Sequence, residues 1–414
     1  MKTTVVLIVR LFVALACFQA SAGMAQLLPT APVVGGVLGS VDGLIDRTVD
    51  QASRTTRDLA DARLSRIAAL VRANPGRVVR DPDGFPARAG EVVLGDPGEA
   101  VLVAASGRGF VVLERQETLG IGYVRLSVPP GLSLKSAIGL LRRLGAQEVS
   151  ADQLYAASGA VKAQAVQAAG NAGNGPRIGP RIGMIDGGVQ GLTALQRGFA
   201  SGAPRASLHG TAVASLIGGA GRIRGAAPGA RILAADVYGN DPAGGNATAI
   251  AKALGWLVGE GVSVVTISLV GPPNPILGRV VAAAQARGTI IVAAVGNDGA
   301  ASPPSYPASY PGVIAVTATD SRKRILIEAG NATHLDYAAP GADMLASDTG
   351  GGAVPVRGTS FAAPLVAGTI ARLYPGQDSA RRAAALASVD AGAERLGRRY
   401  GRGLVCADCR TAPK

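Results

Sequence analysis

The chain is short of the residues from which many functional sites are built. Its 414 residues include two histidines, three cysteines and one tryptophan, and aromatic residues make up 4%. Any histidine-assisted chemistry must therefore use His209 or His334. A zinc site on Cys406 and Cys409 would need two further ligands, and none is suitably spaced. Acidic residues are outnumbered 28 to 41, giving a net charge of +13, and residues 371–414 carry nine basic against four acidic side chains. So few aromatics and no nucleic-acid-binding motif argue against a nucleic-acid partner. The charge suits anionic cell-envelope surfaces, or solubility alone. Long apolar runs are also missing: those at 262–270 and 289–295 are of strand length, so no transmembrane segment is expected in the mature chain.

What is present begins with an export signal. Met1-Lys2 precedes Val5–Ile8 and Leu11–Phe18, and the small residues of 20–25 follow. Residues 1–25 are expected to be a signal peptide cut after Ala22 or Ala25, placing the protein in the periplasm or outside the cell. Lipoprotein anchoring at Cys17 is the rival, but Ala14 stands where leucine is expected. In an exported chain Cys406 and Cys409 are expected to pair as a local disulfide. Residues 26–89 are expected to be a helical extension, since apolar residues recur at 41, 45, 49, 52, 59, 64, 67 and 71. Residues 90–156 read as a small α+β unit, with strands at Glu91–Leu94, Ala100–Ala104, Phe110–Leu113, Tyr123–Val128 and Glu148–Ser150 and a helix at Leu134–Leu144. Residues 157–178, rich in Ala, Gly and Asn, read as a flexible linker open to cleavage.

The remainder, 179–414, carries the chemistry. In Gly358-Thr-Ser-Phe-Ala-Ala-Pro-Leu-Val-Ala-Gly368 a glycine turn delivers Ser360 to the start of a helix. Backbone N–H groups there stabilise developing negative charge. His209 likewise precedes a glycine and an apolar helical face made by Ala212, Val213, Leu216 and Ile217. His334, with loop-like surroundings, reads as a surface residue. Asp186 ends the apolar run Arg181-Ile-Gly-Met-Ile185, and functional groups collect at the C-terminal ends of parallel strands.

The order Asp186, His209, Ser360 excludes an α/β-hydrolase, because no histidine follows the serine. Over about 179–405 the three motifs resemble subtilisin-like serine proteases. The resemblance implies an α/β fold, a parallel sheet with helices on both faces, and acyl transfer by an Asp186-His209-Ser360 triad. It also implies that Asn297, in Val-Gly-Asn-Asp-Gly299, donates to the oxyanion. Ser268, Leu269, Val270, Gly271, Ala294, Val295 and Gly296 match the family's substrate-binding strands. Val270 and Val295 stand where smaller residues are usual, and either narrow an uncharged pocket or point into the core. Polypeptide substrates follow. No cofactor or metal is required, and although structural calcium occurs in the family, Asp241 and Asp343 do not identify a site.

The 90–156 unit resembles the family's propeptide, which implies an intramolecular inhibitor removed by self-processing; a permanent accessory domain is the alternative. Two other functions stay open. One is a processing protease dedicated to a single envelope partner, and the other is a catalytically silent binding protein of subtilisin fold.

Overall fold

The structure, a computed structural model, describes residues 55, 57–157, 159–161 and 179–413. The expected signal peptide and most of the expected linker lie outside the described residues. A helix, α1, covers residues 57–73, the last part of the apolar repeat expected to be helical.

The small unit is a sheet packed on helices. Its strands are β1 (Val78–Arg80), β2 (Pro86–Gly95), β3 (Val111–Thr118), β4 (Ile121–Ser127) and β5 (Glu148–Gln153). They run in the order β1-β2-β4-β3, with β5 also antiparallel to β2. Helices α2 (Glu99–Ser106) and α3 (Leu134–Arg143) supply Leu102, Ala105, Leu134, Ala137 and Leu141 to a core with Val92, Leu94 and Leu126. Two expectations are corrected here. The sheet begins at Val78 instead of about residue 90. The run Ala100–Ala104 is helix, not strand, because Gly98 caps a helix that buries Leu102 and Ala105, one turn apart, and leaves Val103 65% exposed.

The chain then makes two short strands, β6 (Ala156–Ala157) and β7 (Ala160–Val161), and enters the larger sheet. This sheet contains β8 (Arg181–Asp186), β9 (Leu195–Gly198), β10 (Arg231–Asp236), β11 (Val264–Ile267), β13 (Ile290–Ala294), β14 (Ile314–Thr319) and β15 (Tyr337–Pro340). Its order is β15-β14-β13-β11-β8-β10-β9, and every pairing is parallel.

Parallel strands need covering on both faces, and the side chains divide accordingly. Ile182, Met184, Ile232, Ala234, Ile290 and Val292 face one core, with helices α4 (Leu208–Gly218) and α7 (Ala363–Leu373). Ile185, Leu233, Ala235, Ile267, Ile291 and Ala293 face another, with α5 (Ala247–Gly259) and α6 (Pro275–Ala286). Strand β12 (Leu269–Val270) follows β11, while β16 (Met344–Ser347) and β17 (Ala353–Arg357) form a hairpin leading to Ser360. Helix α8 (Ser379–Gly392) packs outside α7.

Candidate active site

Three separated segments converge at the C-terminal edge of the large sheet. Asp186, the last residue of β8, is 1% exposed and accepts a hydrogen bond at Oδ1 from Gly187 N–H at 2.7 Å. His209 lies in the first turn of α4, whose start is fixed by Ser207 Oγ accepting from Gly210 N–H. The helix sits so close to the end of β8 that a Cβ at Gly210 would lie 2.3 Å from the Gly187 carbonyl oxygen, so only glycine fits. This approach sets His209 Nδ1 at 2.9 and 3.0 Å from the two Asp186 carboxylate oxygens. A buried carboxylate holding Nδ1 fixes the imidazole's orientation and leaves Nε2 for chemistry. His209 Nε2 is buried without a partner among the described residues, and the imidazole lies 5.3 Å from the Phe361 ring.

Ser360 sits in a 3₁₀ turn, Thr359–Phe361, between β17 and α7. Gly358 has φ 141°, in the range that favours glycine, and Pro364 is placed in the first turn of α7, where its missing N–H costs nothing. Ser360 is buried; its Oγ donates to the Ser268 carbonyl at 3.0 Å, and Ser268 Oγ donates to the Ser360 carbonyl at 2.9 Å. Thr359, not singled out in the sequence, ties this turn to the end of β13. Its N–H donates to Asn297 Oδ1 at 3.1 Å, and its hydroxyl is 3.1 Å from both Gly296 N and Gly296 O. With Oδ1 accepting, the Asn297 amide presents Nδ2, which is buried without an acceptor among the described residues. An unspent donor in an enclosed place can meet charge that develops during a reaction.

The groove beside these groups is occupied by the chain itself. Antiparallel pairing aligns Ala157 with Leu269 and Ala156 with Val270. Beyond the serine, β7 pairs with β17, aligning Val161 with Val356 and Ala160 with Arg357. Between them lies Gly159: a Cβ there would be 2.6 Å from the Phe361 ring and 3.3 Å from Ser360 Cβ. These pairings correct part of the expected linker, since residues 157, 160 and 161 are strand.

Upstream, Tyr155 is 1% exposed and donates from its hydroxyl to the Pro272 carbonyl at 2.7 Å. Its N–H donates to Gly245 O and its carbonyl accepts from the Tyr238 hydroxyl, both at 2.8 Å. Burial pushes the Tyr155 and Tyr238 phenols well above their ordinary range, so both stay neutral hydrogen-bond donors.

The two valines separate. Val270 pairs with the occupying strand and lies against Gly296, whereas Val295 is buried with α5 and α6 and does not narrow the groove. Ala294 is likewise in a core, on the opposite face of the sheet. His334 lies in a loop at the surface, with its side chain 35% exposed and Nε2 2.8 Å from the Val313 carbonyl. Cys406 and Cys409 lie 5.2 Å apart at Cα, within the span of a disulfide. Asp241 faces Arg77 and Arg88, and Asp343 accepts from the Ser321 hydroxyl; among the described residues no three carboxylates converge.

A serine on a tight turn, a carboxylate-held imidazole and a buried amide gather at the edge of a parallel sheet of the subtilisin type. Comparison with known proteins agrees. Residues 199–403 match the Subtilase family. The chain is 35% identical over 204 residues to subtilisin BL from Lederbergia lenta, covering 47% of this chain and 75% of that protein. It is 32% identical over 273 residues to an alkaline protease from Alkalihalobacillus alcalophilus, covering 63% and 70% respectively. Among solved structures, fervidolysin from Fervidobacterium pennivorans, a keratinolytic enzyme related to subtilisin, superimposes with a TM-score of 0.62 at 19% identity, over 81% of this chain and 63% of its own. The chain belongs to the subtilase family and is a serine endopeptidase, a hydrolase of peptide bonds. No helix among the described residues is long and apolar enough to cross a membrane.

Proposed function

We propose that this protein is made as an exported, self-inhibited precursor that cuts its own chain between residues 157 and 161. The observation that carries this reading is the pairing of β6 with β12 and of β7 with β17, which seats the chain on either side of Ser360 as two short added strands, with Gly159 beside the serine. Edge-strand addition is how an extended substrate gains main-chain hydrogen bonds without fixed side-chain chemistry. The small residues Ala156, Ala157 and Gly159 fit a groove bordered by Val270.

In the proposed reaction, Ser360 Oγ leaves the Ser268 carbonyl, passes its proton to His209 Nε2 and attacks the peptide carbonyl. Asp186 holds Nδ1–H and stabilises the imidazolium. The negative charge on the tetrahedral oxygen falls to Asn297 Nδ2 and the Ser360 N–H. His209 then protonates the departing amine, and water repeats the sequence on the acyl-enzyme. After cleavage, the N-terminal unit remains docked as an inhibitor through Tyr155 and the contacts of β5. Residues 1–25 provide the export signal, and the Cys406–Cys409 disulfide forms after export.

Expression of the chain from residue 26, as wild type and as Ser360→Ala, tests this reading by intact mass. Wild type should yield a new N-terminus within 158–161 and label with a fluorophosphonate, while Ser360→Ala stays whole and unlabelled. Two intact, unlabelled chains would reject the protease and favour a silent binding protein.

A further inference from the structure

Helix α1 and the turn after it extend from one rim of the groove to the other. At one rim Asp298, the residue after Asn297, receives two arginines one helical turn apart: Arg63 Nε lies 3.4 Å from Oδ2, and Arg66 donates to Oδ1. Leu59 packs on Gly299, where an added Cβ would lie 2.9 Å from Leu59 Cδ1. At the other rim Arg77 meets Asp241 at 2.7 Å. Between these anchors Ile67 is buried, and Leu70 and Val71 pack against Val78, Leu154 and Ala243. Arg63 also stacks over Phe85, 5.1 Å from its centroid. Beneath the helix a cavity of about 440 Å³ is lined by Arg63, Ile67 and Leu70 on one side and by Ala156, Ala157 and Gly159 on the other. The strand that fills the groove therefore lies between the catalytic sheet and α1.

From this arrangement we propose that α1 and the turn after it form a strap, an inhibitory element leading into the small sheet, that holds the occupying strand in the groove by bridging Asp298, through Arg63 and Arg66, and Asp241, through Arg77 beside the Arg88 of β2. The proposal rests on the reading of that strand as an inhibitor and adds the device that delays its release. Apolar burial by Ile67, Leu70 and Val71 supplies most of the attachment, because ion pairs as exposed as Arg66 and Arg77 contribute little each. The arginines set the helix's position: Asp298 places it beside the oxyanion donor, so an arriving substrate cannot reach that rim until α1 lifts. Cutting between 157 and 161 severs the strand but breaks none of the strap's contacts. Release of inhibition thus becomes a second event after cleavage, and one that salt accelerates.

Hydrogen exchange on the full chain from residue 26 in the Ser360→Ala background reads the strap without any turnover. Adding Arg63→Ala and Arg66→Ala together should speed exchange at Tyr155, Ala156 and Ala157 by about 3–10-fold, as expected for two partly exposed ion pairs. Ile67→Ala with Leu70→Ala should speed it further. Amides of β2, β4, β11 and β13 should not change in either variant. Unchanged exchange at residues 155–157 in the arginine variant would overturn the strap. Faster exchange throughout β2 and β4 in the leucine–isoleucine variant would mean the sheet had loosened, and the arginine variant, which spares Ile67, Leu70 and Val71, then decides. A wild-type chain that never cuts itself would count against the protease and leave this exchange result standing.

Discussion

Asp152 accepts hydrogen bonds from both the backbone N–H and the hydroxyl of Thr248, at 3.0 and 2.7 Å, and so caps the catalytic region's α5 with a carboxylate from the small unit. Both residues are buried. Burial pushes the Asp152 carboxyl up to about 6, against the pull of the Thr248 hydrogen bonds. Undocked, the carboxyl would titrate near 3.8. Docking thus takes up a proton between those values. The resulting contribution is fully present below about pH 4 and is lost as pH rises through about 6. The small unit should dissociate more slowly after cleavage at pH 4.5 than at pH 7.5, by at most about tenfold per pH unit across that window. Asp152→Asn carries no charge to desolvate and should flatten the dependence. Dissociation rates of the cleaved complex, followed by fluorescence polarisation at several pH values, measure it; an unflattened profile in the Asn variant would assign the proton elsewhere.

Opposite charges frame the same interface. The small unit presents Asp96 and Glu148 to Arg279 and Glu114 to Lys252, while Arg77 and Arg88 face Asp241. Half-exposed pairs of this kind fix register more than they add stability. Raising salt from about 0.05 to about 0.5 M contracts the Debye length about threefold and should shorten the lifetime of the cleaved complex severalfold. It should leave peptidase turnover on a neutral peptide unchanged. Turnover that falls in step with complex lifetime would point to a salt effect on the catalytic site itself.

Tyr155 anchors the occupying strand. Its ring fills a fully buried place against Gly271, and its hydroxyl serves the Pro272 carbonyl. Tyr155→Ala removes a buried aromatic ring, a change that typically costs about 3–5 kcal/mol, and leaves that carbonyl unpaired. Tyr155→Phe loses one hydrogen bond, about 1 kcal/mol. Self-cleavage of the full chain should slow severely with alanine and severalfold with phenylalanine. Pre-formed enzyme acting on an added peptide should be unaffected, since the proposed cut between 157 and 161 would leave Tyr155 off the catalytic fragment. Equal cleavage rates in all three chains would remove Tyr155 from the docking energetics.

The catalytic sheet was legible because buried parallel strands are written as unbroken apolar runs, and the motifs at 181–188, 208–219, 288–299 and 358–368 mark their functional ends. The groove-filling strand was not. Residues 156–161 are Ala-Ala-Ser-Gly-Ala-Val, a stretch without periodicity, and Ala156, Ala157, Ala160 and Val161 become strand only where Val270, Leu269, Arg357 and Val356 offer partners. The Ala100–Ala104 run failed as a strand because five consecutive apolar residues satisfy either element, and Gly98 with Glu99 starts a helix there. Val295 and Ala294 show the limit of motif comparison: both match a substrate-binding strand, yet their side chains belong to the cores on the two faces of the sheet. Thr359 carried no signal of its own, because its role depends on a contact with the loop after β13, at sequence separations of 62 and 63.

That contact yields the sharpest test of the proposed oxyanion site. Thr359 fixes Asn297 twice, through its N–H to Oδ1 and through its hydroxyl to the Gly296 backbone. Asn297→Ala removes the donor itself and should lower kcat by about 10²–10³ with little change in KM. Thr359→Val keeps the shape and the N–H contact but deletes the hydroxyl, letting the Gly296–Asn297 segment drift. Because a small misplacement of a catalytic group already weakens transition-state contacts, kcat should fall by about tenfold, again with KM nearly constant. Thr359→Ser restores the hydroxyl and should recover most of the loss, which a merely space-filling role for the threonine would not allow. Steady-state kinetics on one peptide, with active sites titrated by a fluorophosphonate, separate the cases. If valine raises KM and leaves kcat intact, Thr359 shapes the groove and does not position the oxyanion donor.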